Sequence, residues 1–253
     1  MHVIHRFLLH KCGKMVSHPN ARFLDYGCGK GEIVEEGRHR GLNIYGVEAF
    51  YEGGNSREIV RGKGLLGNEI RELIQGKIPF PDSYFDCVLS NQVFEHVSDM
   101  NAVLKEIDRV LVPGGTLVSM FPSKDVIREG HCGVPLIHWF PKRCRLRYYY
   151  MFMFRRLGLG YFTSNKSKSQ WAIEFLDWLD TYTFYRPYGE IWQSFSHHFP
   201  TLYRIEDEYL VYRLRNCNLT TLATVVRLPL FNHLAKWLYK KLGGLAIVGR
   251  KAT

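Results

Sequence analysis

Residues 22–31 read Arg-Phe-Leu-Asp-Tyr-Gly-Cys-Gly-Lys-Gly, an apolar run that ends on Asp25 and Tyr26 and breaks at Gly27, Gly29 and Gly31. The run predicts a short strand, and the stretch from Glu32 to about His39 predicts a helix. A strand that enters a helix through glycines lets the backbone turn sharply and approach a ligand closely, because no Cβ intervenes. Working outward, Asn43 to Val47 reads as a second strand ending in Glu48, and Ile70 to Ile74 as a weakly marked third. Phe85 to Ser90 and Gly115 to Phe121 read as the fourth and fifth. Between those two, Val103, Leu104, Ile107, Val110 and Leu111 recur at helical spacing, until Pro113, Gly114 and Gly115 stop the helix. Strands alternating with helices predict an α/β fold, a doubly wound and mostly parallel sheet. Such sheets hold ligands at the carboxyl ends of their strands.

The glycine loop can be read chemically. Glu48 ends the strand after the loop, 19 residues beyond Gly29, where a carboxylate accepts hydrogen bonds from both hydroxyls of a ribose. A dinucleotide fingerprint would need a third glycine at position 32, which is Glu32 here, and a pyrophosphate would meet Glu32, Glu35 and Glu36. No Gly-Lys-Ser/Thr closes the run, so a Walker loop fails as well. The pattern fits a ribose-bearing ligand without phosphates, and S-adenosylmethionine, which carries a sulfonium cation, meets that description.

Four motifs stand in a fixed order: Asp25 to Gly31, Ile78 to Asp86 (Ile-Pro-Phe-Pro-Asp-Ser-Tyr-Phe-Asp), Ser90 to Val97 (Ser-Asn-Gln-Val-Phe-Glu-His-Val) and Arg109 to Gly115. Together they resemble the class I S-adenosylmethionine-dependent methyltransferases, in particular the type-11 methyltransferase domain, over roughly residues 20–122. The resemblance implies a seven-stranded Rossmann-like methyltransferase fold. It implies that Gly27, Cys28 and Gly29 cradle the methionine part with Asp25 nearby, that Glu48 takes the ribose, and that Asn91 lines the pocket. Family members often carry an Asp before the Ile-Pro-Phe element to bind the adenine amino group. Here that neighbourhood, Leu73 to Lys77, has no acid. His96, after the fourth strand, is weighed between a cofactor or acceptor contact and a contact to a neighbouring loop.

The rest of the chain differs in character. Of 253 residues, the first 125 carry 15 Lys and Arg against 16 Asp and Glu, whereas the remainder carries 19 against 8 and holds 25 of the 36 Phe, Trp and Tyr. Hydrophobic content of 46% excludes a disordered or fibrous chain. Six cysteines without a Cys-x-x-Cys pair read as reduced thiols in a cytoplasmic protein. The start of the chain reads as neither a signal peptide nor a membrane span, and no segment is apolar enough to span a bilayer. The expected organisation is a cofactor-binding core over 1–124, a basic aromatic insertion or lid over 125–200, and the remaining sheet over 201–253.

The loop after the fifth strand, Glu129 to Pro141, opens over the cofactor's reactive end in this fold. His131 and His138 are the candidate bases there, with Glu129 to orient them. A zinc set of His131, Cys132, His138 and Cys144 matches no standard spacing, so no metal centre is expected. Thr163 to Gln170 resembles a solvated linker, and Trp171, Phe175, Trp178 and Leu179 mark one face of a helix. Strands are expected at Leu202 to Glu206 and Gly244 to Lys251, which the family pattern joins by a short hairpin. Here a helix intervenes, with Leu230, Phe231, Leu234, Trp237 and Leu238 beside Lys236, Lys240 and Lys241. Packing of that apolar face against the domain is the first expectation, and docking on a membrane surface the alternative.

The expected function is O-methylation of a carbohydrate or other small-molecule acceptor, such as a surface-glycan precursor, in the cytoplasm or at the membrane periphery. Two alternatives stand beside it. One is a nucleic-acid methyltransferase, although Asn91 to Phe94 replaces the Asn-Pro-Pro-Tyr/Phe element of amino-methylating enzymes. The other is a non-catalytic cofactor-binding protein.

Overall fold

The computed structural model describes residues 2–16, 18–51, 54–163 and 165–253. The apolar run of the opening motif forms β1 (Arg22–Tyr26), with four of its five residues buried. Burial on both faces is why it reads as continuous rather than alternating. It sits near the middle of a seven-stranded sheet of order β3-β2-β1-β4-β5-β7-β6. The other strands are β2 (Asn43–Glu48), β3 (Ile70–Glu72), β4 (Phe85–Asn91), β5 (Leu111–Phe121), β6 (Thr201–Arg204) and β7 (Leu245–Arg250). Strands β1 to β5 pair in parallel, and β7 runs antiparallel to both β5 and β6. The order turns back between β1 and β4, so their carboxyl ends open a crevice at which Asp25 and Asn91 stand.

Alternate side chains feed two cores. Leu24, Val88 and Leu117 point to one face, with Leu104 and Ile107 of the helix α4 (Met100–Val110). Phe23, Cys87, Leu89 and Val118 point to the other, under Phe7 and Leu8 of α1 (Val3–Met15). The remaining helices of this half are α2 (Glu32–His39) and α3 (Ser56–Gly62). The Pro-Gly-Gly element ends α4 as expected, but as part of β5 rather than as a turn. Phe85 pairs with Leu111 and Cys87 with Thr116, so extra residues of β5 bulge out between the two pairs.

The segment expected as a lid packs in two parts. Helices α5 (Arg145–Arg156) and α6 (Lys168–Tyr182) build a core of their own from Cys132, Val134, Ile137, Met151, Trp171 and Leu179. Buried Arg147 ties them together through Asp180 and the carbonyl of Ile137. In contrast, α7 (Tyr188–His198) packs on α4 and sends Ile191 and Phe195, with Phe199 beyond its end, into the main core. The aromatic bias of residues 188–199 therefore reflects covering the sheet. Ser164, within the expected linker, lies outside the described residues. Ser167 of that stretch caps α6, its hydroxyl accepting from the Gln170 amide at 3.1 Å.

The long helical insertion expected before the last strand is three helices: α8 (Glu206–Asn216), α9 (Thr220–Val226) and α10 (Pro229–Leu242). Helix α10 docks by the face opposite to the one expected. Asn232 donates to Asp207, Lys236 pairs with Asp207, Ala235 is buried, and Tyr239 packs on Tyr209. Leu230, Phe231, Leu234, Trp237 and Leu238 are exposed, Leu230 by 78%. Small and polar groups satisfied by Asp207 and Arg204 hold the helix, so its apolar stripe is left to solvent.

Arg109 fastens α4 to the Ile78–Asp82 segment that leads into the amino end of β4. It donates to the carbonyls of Ile78 and Phe80 and to Asp82 and Glu106. Its hydrogen bond is the main reason the Glu106 carboxyl lies below its ordinary range. Arg109→Met should lower stability by about 1–2 kcal/mol, given its partly exposed head. A depressed carboxyl contributes stability above its unfolded value and loses it as pH falls through the folded one. The urea midpoints of wild type and variant should therefore differ most at pH 7 and draw closer below about pH 4, down to the difference carried by the two carbonyl contacts.

Candidate active site

The crevice at the end of β1 and β4 deepens into a cavity of about 310 Å³ lined by Asp25, Gly27, Cys28, Gly29, Glu48, Tyr51, Asn91 and His96. All six residues expected from the sequence to hold the cofactor line it together. Gly27 has φ +75°, and a Cβ there would lie 2.3 Å from Cγ2 of Val93. The amides of Gly27 and Cys28 donate to the Val47 carbonyl at 2.9 and 3.1 Å, which pins the loop to the end of β2. Gly46 leaves room for the Cys28 thiol, which would stand 2.8 Å from a Cβ at that position. The Glu48 carboxylate accepts from the Gly29 amide at 2.7 Å and from the Ala49 amide at 2.8 Å. Each oxygen keeps a further lone pair for a ligand hydroxyl.

Asp25 is 2% exposed and its Oδ2 has no partner, as is also true of Oδ1 of Asn91. Burial, then the Glu48 charge, pushes the Asp25 carboxyl well above its usual range. An orphaned carboxylate beside a second one calls for a cation or an N–H donor. S-adenosylmethionine meets each demand, with an ammonium group, two ribose hydroxyls and a positive sulfonium. Beyond Glu48 lies a second cavity of about 690 Å³ whose walls include Ala49, Leu73, Gln75 and Val93. Its carboxylates Asp99 and Glu106 are already engaged, with the Ala102 amide and with Arg109 and the Ile78 amide. The acid that relatives place before the Ile-Pro-Phe element is thus not supplied from α4, and Gln75 is the polar side chain of that stretch at the wall.

His131, expected as a candidate base, lies in the loop after β5 against Glu129. Glu129, fully buried, accepts from the His131 and Cys132 amides, from Nδ1 of His131 at 2.7 Å and from the Tyr185 hydroxyl at 2.5 Å. Burial alone would raise its pKa, but these bonds outweigh it and hold the carboxyl at about 2. His131 also lines a cavity of about 640 Å³ walled by Tyr161, Phe162, Phe175 and Trp178. Its ring lies 5.0 Å from that of His96, which lines the cofactor cavity. The two histidines form the junction between the cavities.

His138 is placed differently. It is buried against Tyr185, with ring centroids 4.8 Å apart, and lines neither cavity. Burial keeps its pKa below the ordinary value. The weighed zinc set does not assemble either: Cys132 lies in the insertion's core and Cys144 caps α5.

Comparison with known proteins agrees with this geometry. Residues 24–119 match the family model described as a methyltransferase domain. Over that span the chain carries a methyltransferase domain of the class I S-adenosylmethionine-dependent kind that the four motifs resemble. The chain is 31% identical over 117 residues to the ubiquinone/menaquinone biosynthesis C-methyltransferase of Vibrio cholerae, covering 44% of this chain and 45% of that protein. It is 36% identical over 118 residues to a sterol 24-C-methyltransferase of Gibberella zeae, covering 43% of this chain and 29% of that protein. The chain thus spans less than half the length of these curated relatives. An S-adenosylmethionine dependent methyltransferase from Mesorhizobium loti shares the fold, with TM-score 0.53, 15% identity and 96% of each chain covered. The family match stops at residue 119, before the insertion, so residues 125–200 are read from their own geometry.

Four residues at the junction were not singled out from the sequence as site residues. Tyr51 meets Tyr182 of α6 edge-on above the cofactor cavity, Trp178 lies 5.0 Å from His131, Tyr185 braces Glu129, and buried Glu95 stands beside His96. The Trp178 signal was visible as a helical stripe, but a stripe does not say which cavity it faces. Replacing Glu48 by Ala should weaken S-adenosylmethionine binding at least about 100-fold in calorimetry, through two lost hydroxyl contacts to a charged acceptor. Unchanged affinity would remove Glu48 from the site.

Proposed function

We propose that this methyltransferase transfers the methyl group of S-adenosylmethionine to a hydroxyl on an apolar, ring-bearing small molecule. The observation that carries the reading is the junction: His96 faces the cofactor cavity, His131 faces the aromatic cavity, and their rings are 5.0 Å apart. In the transfer the acceptor O–H bond breaks, the oxygen forms a bond to the methyl carbon, and the C–S bond breaks with its electron pair going to sulfur. Positioning and exclusion of water supply much of the rate of such an in-line displacement. The hydroxyl proton leaves at the junction, where two imidazoles converge.

The walls support an apolar acceptor over the sugar expected from the sequence. Tyr161, Phe162, Phe175 and Trp178 dominate the cavity, and its charged groups, Lys166 and Glu174, pair with each other. A sugar would find few free hydrogen-bonding partners there. The relatives named for sterol methylation and for ubiquinone and menaquinone biosynthesis support the same acceptor class, although both are named as C-methyltransferases. Radiolabelled cofactor incubated with lipid, glycan and RNA fractions should label the lipid fraction, on oxygen. Label confined to glycan or RNA would overturn the reading. Trp178→Ala should raise the acceptor KM roughly tenfold and leave cofactor affinity unchanged.

The exposed stripe of α10 favours a second element, peripheral contact with an anionic membrane from which an apolar acceptor would be drawn. Leu219, Leu222 and Leu228, on and beside α9, are exposed as well, as are Arg213 and Arg215 of α8 and Arg227 after α9. No helix among the described residues is long and apolar enough to cross a membrane. A basic amphipathic surface of this kind lies in the headgroup plane. The spaced cysteines of the sequence support the cytoplasmic side. The protein should sediment with vesicles containing phosphatidylglycerol, and Phe231→Glu with Trp237→Glu should abolish this. Binding that survives both changes would count against the stripe.

A further inference from the structure

The two imidazoles at the junction are held in one tautomer. Nδ1 of His96 lies 2.7 Å from the carbonyl oxygen of Tyr182, which can only accept. That nitrogen therefore carries the proton, and Nε2 keeps its lone pair. Nδ1 of His131 donates in the same way to Glu129, so its Nε2 is free as well. Carbonyl and carboxylate partners on the far nitrogen are the arrangement that orients metal-binding histidines. Beside them Glu95 is 1% exposed, and neither of its carboxylate oxygens has a hydrogen-bond partner. A buried carboxylate in that state lacks a counter-charge. One donor atom from each of Glu95, His96 and His131 lies within 4.8 Å of the others.

We propose that Glu95, His96 and His131 bind a divalent transition-metal ion, with open coordination positions facing the junction of the two cavities. Two imidazoles and one carboxylate suit Zn²⁺ and its first-row neighbours better than Mg²⁺ or Ca²⁺, which prefer all-oxygen sets. The ligands come from the turn after β4 and from the loop after β5, so no spacing in the sequence announces them. The assignment runs against the sequence expectation of no metal centre. Its use rests on the hydroxyl reading above: an acceptor oxygen on the ion would lose its proton to solvent more readily and attack the methyl carbon as an alkoxide.

The test of the site itself needs neither acceptor nor turnover. Chelator-treated protein should bind one Zn²⁺ per chain in calorimetry, and Co²⁺ should give a ligand-field absorption band. Glu95→Gln, which keeps the side chain's size, and His131→Ala should each weaken the ion at least about 100-fold while S-adenosylmethionine binding stays intact. Binding that is equally tight in both variants, or no stoichiometric binding in the wild type, would overturn the site. Methyl transfer indifferent to chelator would overturn the ion's use and leave the hydroxyl reading standing, with an imidazole as base. Variant-sensitive metal binding without transfer to any hydroxyl acceptor would support the site and sink the hydroxyl reading.

Discussion

The Gly29 amide donating to the Glu48 carboxylate, 2.7 Å apart, joins the loop after β1 to the end of β2. The rest of the cofactor site follows from it. With the loop drawn onto β2, Asp25 is left buried without a partner, and the crevice beside β4 stays open at Asn91. Two carboxylates thus line one cavity, and neither has an ion-pair partner among the described residues. That is an unfavourable arrangement for the isolated chain and a favourable one for a positively charged, ribose-bearing ligand. The sheet supplies the rigidity: β1, β2 and β4 are flanked by cores on both faces, so the loop that carries Gly27 rests on close-packed strands.

The insertion solves a different problem. It has a core of its own around Trp171, yet it spends Trp178 and Tyr182 on contacts above the cofactor cavity. Its pair of buried Arg147 with half-buried Asp180 and the Glu129–His131–Tyr185 cluster fix the loop that brings His131 to His96. The acceptor side is therefore a shaped wall. What it lacks in free polar groups it has in aromatic surface, and that balance is what argues for an apolar acceptor.

Much of this was legible in the chain. The strand-glycine-helix signal, the acid at the end of the second strand and the four ordered motifs pointed to the fold class, and the six residues expected to hold the cofactor line one cavity. Hydrophobic periodicity located α4 and α6 but erred over α10. The stripe of Leu230, Leu234 and Trp237 reads as a buried face, yet Asp207 and Arg204 anchor the opposite one through Asn232 and Lys236. Periodicity reports that a helix has two faces, and the polar partners decide which one turns inward. His138 was a similar case, chosen for its residue type and place in the loop, then packed away behind Tyr185.

By itself, then, the sequence determined the parallel sheet, the glycine loop and the pair Asp25 and Glu48, because these depend on local patterns and on one strand's distance from the next. Only the tertiary structure decided that Glu95, His96 and His131 meet, that the aromatic helix walls a second cavity, and that α10 leaves its apolar side to solvent. Those outcomes are contacts between segments far apart in the chain. They are set by which buried polar groups find partners, and no local periodicity encodes that.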